Sequence, residues 1–320
     1  FNMHNATMLW CGEVADQLDL TPDERARHGE IRGRMYRGVV EEGHIHSQPF
    51  SEGVAAGATA GVTTTAVPAE GGWKVTGRKI FASLSGAADY YGVLCTEVRP
   101  GIEAPSLRDT LYLAVPKDAP GFSIVGDWDP LGMRGTVSRT LLLADVFLPD
   151  SAQMMPRGIY YQAANRWPHM FATLSPTYMG IAMAAYEFTV RYLRGEVEGM
   201  DPPLRRRMHH TKQITTAQMH ILLEQTRALF LRTFSEACVD PPREIRLRAY
   251  AAQYTVMENA NEIARLAIRA CGGQSMLKSL PLERLYRDSR CGSLMLPWTA
   301  ELCLERIGRE ALYDAGESDD

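Results

Sequence analysis

The sequence predicts an α+β protein of several domains: helices first, a compact β unit second, a helical bundle last. Three shifts in residue pattern predict it. Residues 1–47 carry apolar side chains at helical spacing, residues 48–154 are rich in Gly, Thr, Val and aromatic residues with recurring turn signals, and residues 155–320 return to long helical stretches broken by Pro and Gly.

In the first block, Met8, Leu9, Val14, Ala15 and Leu18 recur three and four residues apart and make one apolar helical face. Thr21-Pro22-Asp23-Glu24 then reads as a helix start, with Thr21 as N-cap, Pro22 in the first turn and Glu24 closing a capping box. This second helix runs through Met35, Tyr36 and Val39 and stops before Gly43. The chain opens on Phe1 with no signal-peptide pattern, and it reads as starting inside a longer helical domain.

In the second block, Thr63–Val67 reads as a strand, Glu70-Gly71-Gly72 as a turn and Trp73–Phe81 as the returning strand. Further strands are expected at Tyr90–Thr96, Thr110–Val115, Phe122–Val125 and Ser138–Phe147. Short strands with close turns suggest a small barrel or sandwich rather than a parallel sheet.

In the third block, Ser175-Pro176 reads as an N-cap followed by Pro, opening a helix to about Arg194. Helices over Ile214–Cys238 and Glu244–Cys271 follow, the latter ended by Gly272-Gly273, and a last one runs from near Thr299 to Tyr313. Four long helices with short Pro/Gly connections make a bundle.

The formal charge is −4, and the longest basic cluster, Arg205-Arg206-Arg207, reads as a solvated loop or helix start, so nothing draws the chain to nucleic acid. No apolar run reaches the roughly 20 residues a membrane span needs. The six cysteines form no Cys-x-x-Cys pair, which reads as reduced thiols in a cytoplasmic protein. Gly-x-Gly-x-x-Gly, Walker and His-Glu-x-x-His motifs are absent from the sequence. His44-Ile45-His46 has no third ligand near it, so no metal is expected.

Weak motifs in one order across nearly the whole chain carry a resemblance. They are Pro49-Phe50-Ser51-Glu52-Gly53, the stretch Trp73–Ser83, Leu131-Gly132-Met133-Arg134-Gly135-Thr136, Ala144–Pro149, Cys271-Gly272-Gly273 and Tyr286-Arg287-Asp288. Together they resemble the acyl-CoA dehydrogenase family. The resemblance implies a helical N-terminal part, here incomplete, then a middle β-barrel and a C-terminal four-helix bundle. It further implies FAD as cofactor, an acyl-CoA or carrier-bound acyl thioester as substrate, and a homodimer or homotetramer. It names no electron acceptor.

Carried over residue by residue, the resemblance places Ser51 at the pyrimidine side of the flavin, with Gln48 and Phe50 at adjacent lining positions. Phe81 takes the aromatic position against the ring, Ser83 the hydroxyl position near N5, and Thr299 and Glu301 the helix start that meets the cofactor. Hydroxyls, backbone N–H groups and helix N-termini suit the charge a reduced flavin holds. Read alone, Phe81 is a strand core residue, Ser51 and Ser83 are turn or edge hydroxyls, and Thr299 is an N-cap.

The sequence departs from the family where its chemistry sits. The family's glutamate abstracts an α-proton, and losing such a base costs about 10²- to 10⁴-fold. Pro297 occupies its position here, with Trp298 next to it, and Met170 falls at or near the position a second branch of the family uses. Gly57 stands where a serine is common. Glu52 and Glu301 are the carboxylates nearest the expected cofactor in sequence. Three chemistries stay open: a dehydrogenase with its base elsewhere, an oxygen-using monooxygenase or oxidase, and a base-lacking subunit of a heteromeric dehydrogenase.

Overall fold

The computed structural model describes residues 2–53, 62–99, 101, 106–198, 206–295, 298–314, 316–317 and 319. Gly57, Arg205 and Pro297 lie outside the described residues. The chain forms two compact units.

The first unit takes in residues 1–129, 135–167 and 238–240. Helix α1 (Asn2–Leu9) continues into a wide π-turn, Trp10–Val14, with non-helical backbone at Gly12. The irregularity has a packing cause: a Cβ on Gly12 would sit 2.2 Å from the Tyr36 hydroxyl, which donates to the Met8 carbonyl at 2.8 Å. Helix α2 (Pro22–Glu42) starts on the full Thr21–Glu24 capping box and ends on Gly43 in the left-handed conformation.

Among the described residues eight strands form one sheet: β1 (His46–Ser47), β2 (Thr65–Ala69), β3 (Gly72–Ala82), β4 (Tyr90–Glu97), β5 (Thr110–Pro116), β6 (Phe122–Val125), β7 (Arg139–Pro149) and β8 (Gln153–Met155). Their order is β6-β7-β3-β2-β4-β5-β8, with β1 pairing β4. In a flat sheet β6 and β4 would lie about 19 Å apart, four strand spacings of about 4.8 Å. Yet the Phe122 and Tyr91 rings are 5.1 Å apart, so the sheet is rolled around its core. That core alternates along the strands: Trp73 and Val75 from β3, Val93 and Cys95 from β4, Leu111 and Leu113 from β5, Leu141 and Leu143 from β7. Helix α3 (Ile159–Arg166) follows the sheet.

Thr63 and Thr64 were expected in a strand, and they precede it. Their N–H and hydroxyl groups all donate to the Glu52 carboxylate, which takes the donors a ladder would use, while the Thr64 carbonyl accepts from Thr96 N–H at 2.8 Å.

The second unit takes in residues 130–134, 168–237 and 241–320. Its helices are α4 (Ser175–Arg194), α5 (His210–Ser235), α6 (Arg243–Cys271), α7 (Leu282–Arg290) and α8 (Ala300–Leu312). Tyr178, Ala182, Met219, Val256, Met257, Ile263 and Leu282 fill the core between them. Ser175 is not the N-cap the sequence suggested. It is the first helical residue, and its hydroxyl donates to the Gln253 side-chain carbonyl at 2.9 Å. Within the basic cluster, Arg206 donates to the Cys271 carbonyl at 2.9 Å and so closes the end of α6.

No disulfide forms; Cys11, Cys95, Cys271 and Cys303 are buried thiols. No helix among the described residues is long and apolar enough to cross a membrane.

Candidate functional site

In the first unit the expected flavin residues converge on the end of β3. The β3–β7 register slips between Lys79 and Ala82, a bulge that frees Phe81 from the ladder. Phe81 sits at φ 54°, a left-handed conformation that costs an aromatic residue about 1–3 kcal/mol, and its side chain is 61% exposed. It is therefore no core residue. Its ring meets Trp128 edge-on at 6.0 Å. Leu84 (φ 66°) and Val137 (φ 45°) share the same strained region beside it.

These two residues belong to a short pairing that aligns a row of hydroxyls. Leu84 N–H donates to the Thr136 carbonyl at 2.9 Å, and Ser85 N–H to the Val137 carbonyl at 3.1 Å. The pairing brings Ser83 Oγ within 2.8 Å of Ser138 Oγ, which is 2.7 Å from Thr136 Oγ1. Ser47 Oγ donates to the Ser83 carbonyl at 2.5 Å, joining β1 to the same edge.

The segment before it is placed by its backbone. The Ser51 carbonyl accepts from Ile80 N–H at 2.7 Å. Phe50 packs on Tyr160 at 5.4 Å, within a cluster that also holds Trp10 and Tyr112. Gln48 is buried, and its Nε2 has no hydrogen-bond partner. Five of the seven expected cofactor residues thus lie on neighbouring segments of one unit.

Glu52 takes a structural role, not that of a base. Lys79 Nζ donates to it at 2.6 Å; the Lys79 side chain is 0% exposed and that of Glu52 5%. Burial would raise this carboxyl, but Lys79 and the hydrogen bonds from Lys79, Thr63 and Thr64 outweigh it and hold the group down at about 2. A carboxylate so held is a structural anion and a poor proton acceptor. Sequence alternation carried a signal here, because Trp73, Val75 and Lys79 share one face of β3, and a lysine on a buried face needs a counter-charge.

The other two expected residues lie in the second unit. Thr299 is the N-cap of α8, accepting from Leu302 N–H at 3.3 Å. Glu301 is exposed in the first turn, its carboxyl lowered by its own N–H and by the Thr299 hydroxyl. Met170 stands in a short turn, Pro168–Thr173, and joins Trp298, Cys303, Tyr250 and Tyr254 in an apolar cluster. The Arg306 guanidinium lies 4.1 Å over the Trp298 ring. In the same unit, two of the quoted motifs dock. Asp288 accepts from Met133 N–H at 2.6 Å, and Arg287 donates to the Leu131 carbonyl at 2.7 Å. Thr136, Ser138, Trp128 and Arg306 were not legible beforehand as members of either arrangement, since each acts across a tertiary contact.

The His44-Ile45-His46 pair holds no metal cluster among the described residues. His44 pairs with Glu42 at 3.2 Å, and His46 stacks on Tyr90 at 5.2 Å.

Family models match the acyl-CoA dehydrogenase middle domain at residues 50–146 and the acyl-CoA dehydrogenase C-terminal domain at residues 158–312. This chain belongs to the acyl-CoA dehydrogenase family. Among curated relatives, YdbM of Bacillus subtilis (strain 168), assigned as an acyl-CoA dehydrogenase, is 30% identical over 78% of this chain and 62% of its own length. The L-evernosamine nitrososynthase of a Micromonospora strain is 28% identical over 76% of this chain and 58% of its own length. The chain thus spans about three-fifths of these relatives. The fold also matches FMN-bound TdsC from Paenibacillus sp. A11-2, with a TM-score of 0.79, 19% identity, and 97% of this chain and 78% of that one covered.

Proposed function

We propose that the chain is the flavin-binding part of an oxidoreductase whose chemistry does not use a carboxylate for α-proton abstraction, a flavin-dependent oxygenase or oxidase built on the acyl-CoA dehydrogenase fold. The observation that carries this is Met170 in the apolar cluster with Trp298. A thioether beside an indole can shape a pocket and cannot take a proton. Glu52 is held ionised by Lys79, and Glu301 is an exposed helix-start carboxylate, so neither replaces the missing base.

The first unit's residues fit a flavin ring. Phe81 offers an exposed aromatic face, and Ser83, Ser138 and Thr136 a hydroxyl row. A bound flavin would supply two-electron redox chemistry. The chain's own groups would orient the ring and donate hydrogen bonds to its polar edge. These residues address the isoalloxazine ring that FAD and FMN share. The family resemblance favours FAD, whereas the TdsC structure holds FMN.

The second reading is α,β-dehydrogenation of an acyl thioester in a homo-oligomer, the base coming from elsewhere or from a partner subunit. The YdbM relative favours it. Two titrations and two assays separate these readings. Binding of FAD and FMN is followed by flavin absorbance and fluorescence, and a protein that binds neither rules out both. Oxygen uptake driven by NAD(P)H in the flavin-loaded chain supports the oxygen-using reading. Reduction of the flavin by acyl-CoA with no oxygen uptake supports the dehydrogenase.

A further inference from the structure

Ser83, Ser138 and Thr136 form a continuous hydroxyl row in the first unit, with separations of 2.8 and 2.7 Å, the usual length of a well-made O–H···O bond. The middle member, Ser138, is 6% exposed, while Ser83 and Thr136 at the two ends are half-buried. The row is thus closed to water in the middle and accessible at both ends.

Neighbouring serines use their protons differently. Ser47 Oγ donates to the Ser83 carbonyl and Ser85 Oγ to the Ala82 carbonyl, bonds that fix the backbone and hold the proton in one place. Among the described residues, the Ser83 and Ser138 hydroxyls meet other hydroxyls and no carbonyl. A hydroxyl has one donor and two acceptor sites, so each pair can be bonded in either direction and the whole row can reverse. A tie that only pins two segments together has no need of that freedom. The backbone beside the row is strained as well: Leu84 at φ 66° follows Ser83, and Val137 at φ 45° stands between Thr136 and Ser138. Strain of this kind gathers at sites of function.

We infer that the Ser83–Ser138–Thr136 row is a proton relay between the polar edge of a bound flavin ring and water at Thr136. This rests on the flavin reading above, in which Ser83 meets that edge. In one pass Ser83 Oγ takes a proton from the ring edge and gives its own to Ser138. Ser138 gives its own to Thr136, and Thr136 releases one to water. At each oxygen one O–H bond forms and one breaks, every hydroxyl ends neutral, and no electrons move. The reverse pass delivers a proton to the ring.

Proton exchange in the absence of turnover tests the relay. The full chain is saturated with FAD or FMN isotopically labelled at N5 and reduced with dithionite, and exchange of the N5 proton with water is timed by NMR. Ser138→Ala removes the middle hydroxyl and leaves both ends, and is expected to slow exchange about tenfold or more. Ser138→Thr keeps a hydroxyl there and is expected to exchange at close to the wild-type rate. Thr136→Val cuts the outer end and should slow exchange as Ser138→Ala does, which carries the test if Ser138→Ala fails to fold. Thermal unfolding follows the structural share of each change. Lower stability with unchanged exchange makes the row a packing feature and overturns the relay, as does equal slowing in Ser138→Ala and Ser138→Thr. A chain that takes up neither flavin overturns the flavin reading together with the relay, and titration shows this before any exchange is timed.

Discussion

The Lys79 ammonium donates to the Glu52 carboxylate at 2.6 Å, and both side chains are buried. Through the Glu52 carboxylate the pair ties Thr63 and Thr64 to β3, two residues from Phe81. Removing one partner of a buried pair strands the other charge, which costs about 3–5 kcal/mol. Glu52→Gln is therefore expected to lower stability by about 3 kcal/mol or more in urea unfolding. Lys79→Met alone should do the same. The double variant should cost less than the sum of the two, because it leaves no orphan charge; additive losses would show that the two groups are not coupled.

Acid sensitivity should begin well above the carboxylate range. His46 is buried with no hydrogen-bond partner at either ring nitrogen. Burial first, then His4 and His44 nearby, pull it down to about 4, with Asp89 opposing. The folded state thus resists a proton that the unfolded chain takes up near pH 6.5. Stability from this group is full above that pH and falls as pH drops from about 6.5 to about 4, by roughly 3 kcal/mol in all. Glu52 acts over a lower window, losing its contribution between about 4.5 and about 2. His46→Phe should flatten the unfolding free energy between pH 6.5 and 4 and leave the lower window in place.

Phe81 separates binding from stability. Its ring is exposed and its backbone strained, so Phe81→Ala should change the melting temperature little. Loss of the aromatic face should weaken flavin binding by on the order of 1–2 kcal/mol, about tenfold. Ser83→Ala, which takes one hydroxyl from the row, should weaken it by a few-fold. Flavin fluorescence titration checks both, and unchanged affinity in both variants would remove these residues from the site.

Gly132 marks the docking of two distant motifs. A Cβ there would fall 2.2 Å from the Arg287 carbonyl oxygen and 2.8 Å from the Asp288 nitrogen. Because these are backbone atoms, they cannot move aside cheaply, and Gly132→Ala should cost about 1–3 kcal/mol. Gly43→Ala, where the added carbon meets nothing, tests the separate cost of left-handed backbone and should lose only about 1 kcal/mol. Urea unfolding of the two variants compares them.

What was legible in the sequence was local. The Thr21–Glu24 capping box, Gly43 and the Gly272 helix end each act within a few residues of the chain, and the structure places them as expected. The strand edges at Phe122–Val125 and Tyr90 were legible because apolar alternation ends where the ladder ends. Ser175 misled because Ser-Pro is a helix-start signal only while the hydroxyl is free to cap, and here Gln253, 78 residues away, takes it. Short strands such as β1 and β8 carry too few residues to show a period. In the candidate site, Phe81 and Ser83 were found by resemblance, while their neighbours Trp128, Thr136 and Ser138 needed the fold to bring them near. Lys79 lies between these cases: its inward register was visible, its partner was not.

The central claim is that this flavin scaffold works without a carboxylate base where the family keeps one. Anaerobic mixing of the flavin-loaded full-length protein with a panel of acyl-CoAs, followed at the flavin absorbance band, tests it most directly. The account predicts that the band persists with every acyl-CoA and disappears when dithionite is added. Bleaching by any acyl-CoA would contradict it and place α,β-dehydrogenation, with a base other than Glu52 and Glu301, in this chain.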